Sequence, residues 1–178
     1  MDNTDQLHKL KLFLTGYTRL VIVGLGNPLR GDDGVGLLVH DQLKERLSGC
    51  EDISFIRAET VLENFIGPIQ KLQPSHILLL DAVVSVEHEA GEWLLLEPED
   101  MESSFDSTHT LPFSLFAGMM GESPAIKGIG FVVETVTFGE SMTPPASQAG
   151  LDLVTLLEHL LVGVSSDLLS RRPVCLAP

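Results

Sequence analysis

The chain has 178 residues, 25 of them acidic against 11 basic, for a formal charge of −14 at pH 7. That length suits one domain, and a hydrophobic share of 44% with mean hydropathy +0.23 excludes global disorder despite the charge. The same balance argues against nucleic-acid binding, because phosphate affinity needs clustered Lys and Arg and Arg171-Arg172 is the only such cluster.

The first residues, Met1-Asp2-Asn3-Thr4-Asp5, are acidic where a signal peptide would be basic, and Leu10–Leu14 is too short for its apolar core. Residues 1–18 are therefore set apart as an N-terminal extension, 19–164 as the domain and 165–178 as a C-terminal tail. No run approaches the roughly 18 apolar residues of a membrane span, so no membrane insertion is expected. Two cysteines, Cys50 and Cys175, allow at most one bridge, and a reducing, cytoplasmic compartment is expected.

Leu20-Val21-Ile22-Val23-Gly24 is a short β-branched run, predicted as a strand buried on both faces. A helix follows over Gly36–Leu47, where Leu37, Leu38, Leu43 and Leu47 recur near helical spacing. Ile53–Ile56 alternates as a second strand, then comes a helix over Leu62–Leu72 that Pro74 ends. His76–Asp81 is a third strand, apolar until it stops at a carboxylate, and Gly91–Glu97 a fourth. Pro98–Thr110 is polar and predicted as a loop. Leu115–Met120 is a short helix, Ile129–Thr137 the last strand, and Ser147–Leu161 a closing amphipathic helix. Strands alternating with helices give an α/β fold of three αβα layers, with a mostly parallel sheet covered on both faces. In such folds ligands sit beyond the carboxyl ends of strands.

The turn after the first strand, Gly24-Leu25-Gly26-Asn27-Pro28-Leu29-Arg30-Gly31-Asp32-Asp33-Gly34-Val35-Gly36, imitates a dinucleotide fingerprint and fails it. Leu29 stands where the third glycine belongs, and two carboxylates at the following helix would repel a pyrophosphate. No organic cofactor is expected. One aspartate, Asp32, is the candidate helix cap, and Asp33 gains interest from Asp81, which also ends a strand. Of six histidines, His109 is distinct, lying in the hydroxyl-rich stretch Ser107-Thr108-His109-Thr110. Two carboxylates and an imidazole can ligate a divalent metal with positions left open, although only the fold could bring them together. Signatures of zinc peptidases and serine hydrolases are absent.

These segments together resemble the hydrogenase maturation endopeptidase family, in the branch serving formate-hydrogenlyase-type nickel-iron hydrogenases. The resemblance rests on Val23–Gly36, Glu63-Asn64, Ile77–Ala82, Thr108–Pro112 and Met142-Thr143-Pro144, in order along nearly the whole domain. It implies a twisted five-stranded sheet and a metal-binding set of Asp33, Asp81 and His109. It also implies a substrate, the precursor of a hydrogenase large subunit, whose C-terminal extension is removed after nickel insertion. Nickel carried by the precursor is then what the protease recognises, another divalent metal can occupy the site in vitro, and the enzyme acts as a monomer. Asp33, Asp81 and His109 are also the implied catalytic residues, with either a metal-bound water or an aspartic-type general base as the activating group. One departure stands out. The family has a polar residue and proline after a glycine of the last strand, where this chain reads Gly130-Phe131-Val132-Val133. Two other readings remain, a nickel-sensing adaptor that does not cut, and a small-molecule hydrolase using the aspartate pair.

Overall fold

The computed structural model describes residues 3–104 and 112–167. Its elements are α1 (Asn3–Leu14), β1 (Leu20–Leu25), α2 (Val35–Arg46), β2 (Ile53–Glu59), α3 (Ile66–Leu72), β3 (His76–Val83), β4 (Trp93–Leu96), α4 (Pro98–Ser104), α5 (Phe113–Met120), β5 (Ala125–Val132) and α6 (Pro144–Asp167). Short 3-10 turns at Gly31–Gly34 and Leu62–Phe65 precede α2 and α3.

The five strands form one sheet in the order β2-β1-β3-β5-β4. β1, β2, β3 and β5 run parallel, and β4 pairs antiparallel with β5 at the edge. Alternation along the central strands sends Leu20, Ile22, Leu78 and Leu80 to one face, where α1, α2 and α6 cover them. Val21, Val23, Ile77 and Leu79 go to the other, under α3, α4 and α5. The strands are apolar throughout because both faces are covered.

The sequence reading misplaces some boundaries for identifiable reasons. β3 continues two residues past Asp81 to Val83, and Asp81 pairs with Gly130. β5 begins at Ala125 and ends at Val132; Val133 still donates to Val83 of β3 at 3.0 Å, and Thr135 and Val136 beyond it bond to the first loop. Thr135 accepts the Asp32 amide proton at 3.2 Å, and Val136 accepts from Arg30 Nε at 2.9 Å. Pro98–Ser104 is a helix, not a loop: proline suits a first helical position, Glu99 and Asp100 suit the positive end of the dipole, and Met101 is fully buried. The N-terminal extension holds α1, whose Leu10, Phe13 and Leu14 join the core with Tyr17. Cys50 is buried and disulfide-bonded, which departs from the reduced state expected.

His40 on α2 is buried as well. Its Cβ fills the space over Gly24, and its ring stands edge-on to Phe55. Nδ1 bonds Asp41 at 2.8 Å, while Nε2 is buried without a partner among the described residues. Burial lowers its pKa below 6.5 and outweighs the opposing pull of Asp41. The unfolded chain therefore binds the proton more readily, so stability from the neutral ring is present above about pH 6.5 and is lost as pH falls toward the folded-state pKa. Melting temperature is expected to fall between pH 7 and 5, and His40→Phe to flatten that slope. An unchanged slope in the variant would assign the loss to other groups.

Candidate active site

The strand order reverses between β1 and β3, since the chain leaves β1 for β2 on one side and returns to β3 on the other. A crevice opens at such a reversal beyond the carboxyl ends of the two strands. Asp33 arrives there from the turn after β1 and Asp81 from the end of β3. Each is buried, 6% and 2% exposed. Asp33 Oδ2 accepts the Asn27 amide proton at 3.0 Å, and Asp81 Oδ1 accepts that of Ala82 at 2.9 Å.

Glycine makes this approach possible. Gly26 has φ +112°, and a Cβ there would lie 1.8 Å from the Asp33 carbonyl oxygen and 3.7 Å from Asp81 Oδ1, so the two acids flank a position that tolerates no side chain. Gly36 lets α2 start directly against the sheet, because a Cβ there would meet the carbonyl oxygens of Leu80 and Leu25 at 2.4 and 2.7 Å. These two glycines thus serve close packing of backbone against backbone carbonyl groups, where a fingerprint glycine would admit a phosphate.

The neighbouring Asp32 has a different role from the cap expected. The N-cap of α2 is Gly34, without a side-chain bond. Asp32, fully buried, accepts two hydrogen bonds from Thr143, from the amide at 2.6 Å and from the hydroxyl at 2.9 Å. The same Thr143 hydroxyl lies 3.5 Å from the Ala146 amide, in the N-cap position of α6. Asp32 therefore ties the start of α6 to the turn that carries Asp33. Thr143 is the residue the sequence reading did not assign, although a threonine before Pro144-Pro145 carries the signal of a helix start.

His109 lies outside the described residues. Among those described, no three His, Cys, Asp or Glu side chains gather closely enough to hold a metal ion. The fold thus brings Asp33 and Asp81 to one crevice.

Around that crevice the loops leaving the strands expose large apolar side chains. Leu29 follows β1, Val61 follows β2, Val84 and Val86 follow β3, and Phe138 follows β5. Val86 is fully exposed and Phe138 71% exposed. Gly139 donates to the Leu29 carbonyl at 2.8 Å, which brings the Phe138 loop onto the Leu29 loop. An apolar rim of this kind marks a macromolecular contact more readily than a small-molecule cleft.

The fold is shared with solved structures. The crystal structure of the [NiFe] hydrogenase maturation protease HycI from Thermococcus kodakarensis KOD1 superposes with TM-score 0.74 at 29% identity, covering 86% of this chain and 98% of that one. The solution structure of the endopeptidase HycI from Escherichia coli gives TM-score 0.69 at 26% identity, over 79% and 89%. The Escherichia coli K12 hydrogenase 3 maturation protease is 28% identical over 131 residues, 72% of this chain and 82% of the relative. The chain is similar to the hydrogenase maturation proteases in both sequence and fold. A Methanocaldococcus jannaschii protein, named as a candidate member, is 32% identical over 103 residues, and the match spans 60% of its length. No protein-family profile matches the chain. The family's α/β architecture agrees with the mostly parallel sheet seen here, one antiparallel pair included.

Proposed function

We propose that the protein is an endopeptidase that removes the C-terminal extension of a nickel-iron hydrogenase large-subunit precursor once nickel is in place. The observation that carries this reading is the pair of buried carboxylates at the strand reversal, beyond which the strand-end loops expose large apolar side chains. The family likeness supports it, and the rim disfavours a small-molecule hydrolase.

In this reading nickel belongs to the substrate. Asp33, Asp81 and His109 fill coordination positions that the precursor leaves open, and so fix the scissile peptide beside the carboxylates. A carboxylate then acts as general base: the water oxygen attacks the peptide carbonyl, its proton passes to the carboxylate, and that proton goes to the departing amine as the C–N bond breaks. Polarisation of the same carbonyl is what the nickel supplies. The aspartic-type assignment, the action as a monomer and the cytoplasmic location are part of the proposal. No helix among the described residues is long and apolar enough to cross a membrane.

Mass spectrometry of precursor incubated with the protein tests this. The nickel-loaded form is expected to lose the mass of its extension, and the nickel-free form to stay intact. Equal cutting of both would remove nickel recognition, and a stable complex of unchanged mass would make the protein an adaptor.

A further inference from the structure

Glu59, the last residue of β2, has φ +54°, in the left-handed region where a side chain is strained. Gln73, the other non-glycine residue of positive φ among the described residues, closes α3, where that conformation is ordinary. Glu59 instead ends a strand beside the crevice. Gly24 of β1 pairs with Arg57 and Leu25 with Glu59, so Ala58 is the extra residue of a bulge on β2. Past the bulge, the Glu59 carbonyl accepts the Gly26 amide proton at 3.2 Å. Gly26 is the residue packed against the Asp33 carbonyl group, with Asp81 Oδ1 close by. The strained residue therefore seats the backbone on which the two acids converge.

Strain of this kind persists only where the surroundings over-determine it. The Glu59 side chain is tied down as well. Its Oε1 accepts from Arg57 Nε at 3.1 Å, and Arg57 Nη1 donates to Asp41 Oδ2 of α2 at 2.7 Å. Asp41 Oδ1 in turn lies 2.8 Å from Nδ1 of the buried His40. The Arg57 side chain is 35% exposed and the carboxylates of Asp41 and Glu59 about half exposed. Ion pairs this open to water are modest and weakened by salt, of the same order as the backbone strain they oppose.

We propose that Arg57 is a positioning residue for the crevice; this role rests on the endopeptidase reading above. Through Glu59 it holds the end of β2 in the left-handed conformation whose carbonyl seats Gly26, and with Gly26 the placement of Asp33 beside Asp81. Without the clamp Glu59 relaxes toward negative φ, its carbonyl turns away from the Gly26 amide, and the two acids lose their common aim at the scissile peptide. Glycine enters the left-handed region about as readily as the right-handed one, so at position 59 it needs no clamp.

The test uses the full chain, isotopically labelled for NMR, and nickel-loaded precursor. Arg57→Ala is expected to shift the Gly26 amide resonance and speed its hydrogen exchange, and to lower kcat about fivefold with KM unchanged. Adding Glu59→Gly to Arg57→Ala is expected to return the Gly26 resonance and to restore kcat to within about twofold of native. In the unmutated chain, raising the ionic strength is expected to lower kcat as Arg57→Ala does, and in the double variant to leave it in place. An Arg57 that is merely structural would lower the melting temperature and leave kcat, measured below it, unmoved. That result would overturn the role, and so would a loss that Glu59→Gly fails to repair or a native kcat indifferent to salt. If the precursor is never cut while the Gly26 resonance responds as expected, the endopeptidase reading falls and the clamp on Gly26 stands.

Discussion

Asp33→Asn and Asp81→Asn are each expected to lower the rate of precursor cleavage about 1,000-fold while the protein stays folded. Removing a positioned general base costs about 100- to 10,000-fold, and loss of a metal contact acts in the same direction. A factor of 1,000 corresponds to about 4 kcal/mol of lost transition-state stabilisation. The fold should survive, because an asparagine oxygen can still accept the Asn27 amide proton at position 33 or the Ala82 amide proton at position 81. His109→Ala belongs to the same experiment as the proposed third member. Initial rates on nickel-loaded precursor, read beside thermal melts, check the expectation. Full activity in all three variants would remove the site, and loss of activity with loss of folding would move the explanation to structure.

The central strands and most helices could be read from the sequence because burial on both faces leaves a continuous apolar run, as in Leu20–Val23 and Ile77–Leu80. Asp81 stood out because a carboxylate that ends such a run is conspicuous, and Asp33 gained its interest from Asp81. Other features depend on pairings between distant segments, which local pattern does not carry. Residues 133–137 have strand composition, yet Thr135 and Val136 bond to Asp32 and Arg30 of the first loop, so β5 ends early. The α1 contribution was hidden for the same reason, since Gln6 meets Leu95 only through the folded edge of the sheet. The distinct roles of the paired aspartates were likewise illegible. Nothing in Gly-Asp-Asp-Gly says which carboxylate faces Thr143 and which the crevice.

That division predicts opposite behaviour for adjacent residues. Asp32→Ala is expected to destabilise the protein by about 3 kcal/mol, because hydrogen bonds to a charged group contribute about 1.5–3 kcal/mol each and the Thr143 amide and hydroxyl would both lose their acceptor in a buried site. For a chain of this size that is a fall in melting temperature of about 10 °C. Asp32→Asn keeps one acceptor oxygen and should lose about half as much. Thr143→Val removes the hydroxyl bond alone, and because it shares that bond with Asp32, the double variant should lose less than the two singles together. Cleavage by Asp32→Asn, measured below its melting point, is expected to stay within about tenfold of the native rate, since Asp32 acts on the crevice only by fixing the turn that carries Asp33. If Asp32→Ala melted like the native protein, α6 would not depend on this tie. If Asp32→Asn lost activity as completely as Asp33→Asn at full stability, the chemistry would have to be shared between the two carboxylates.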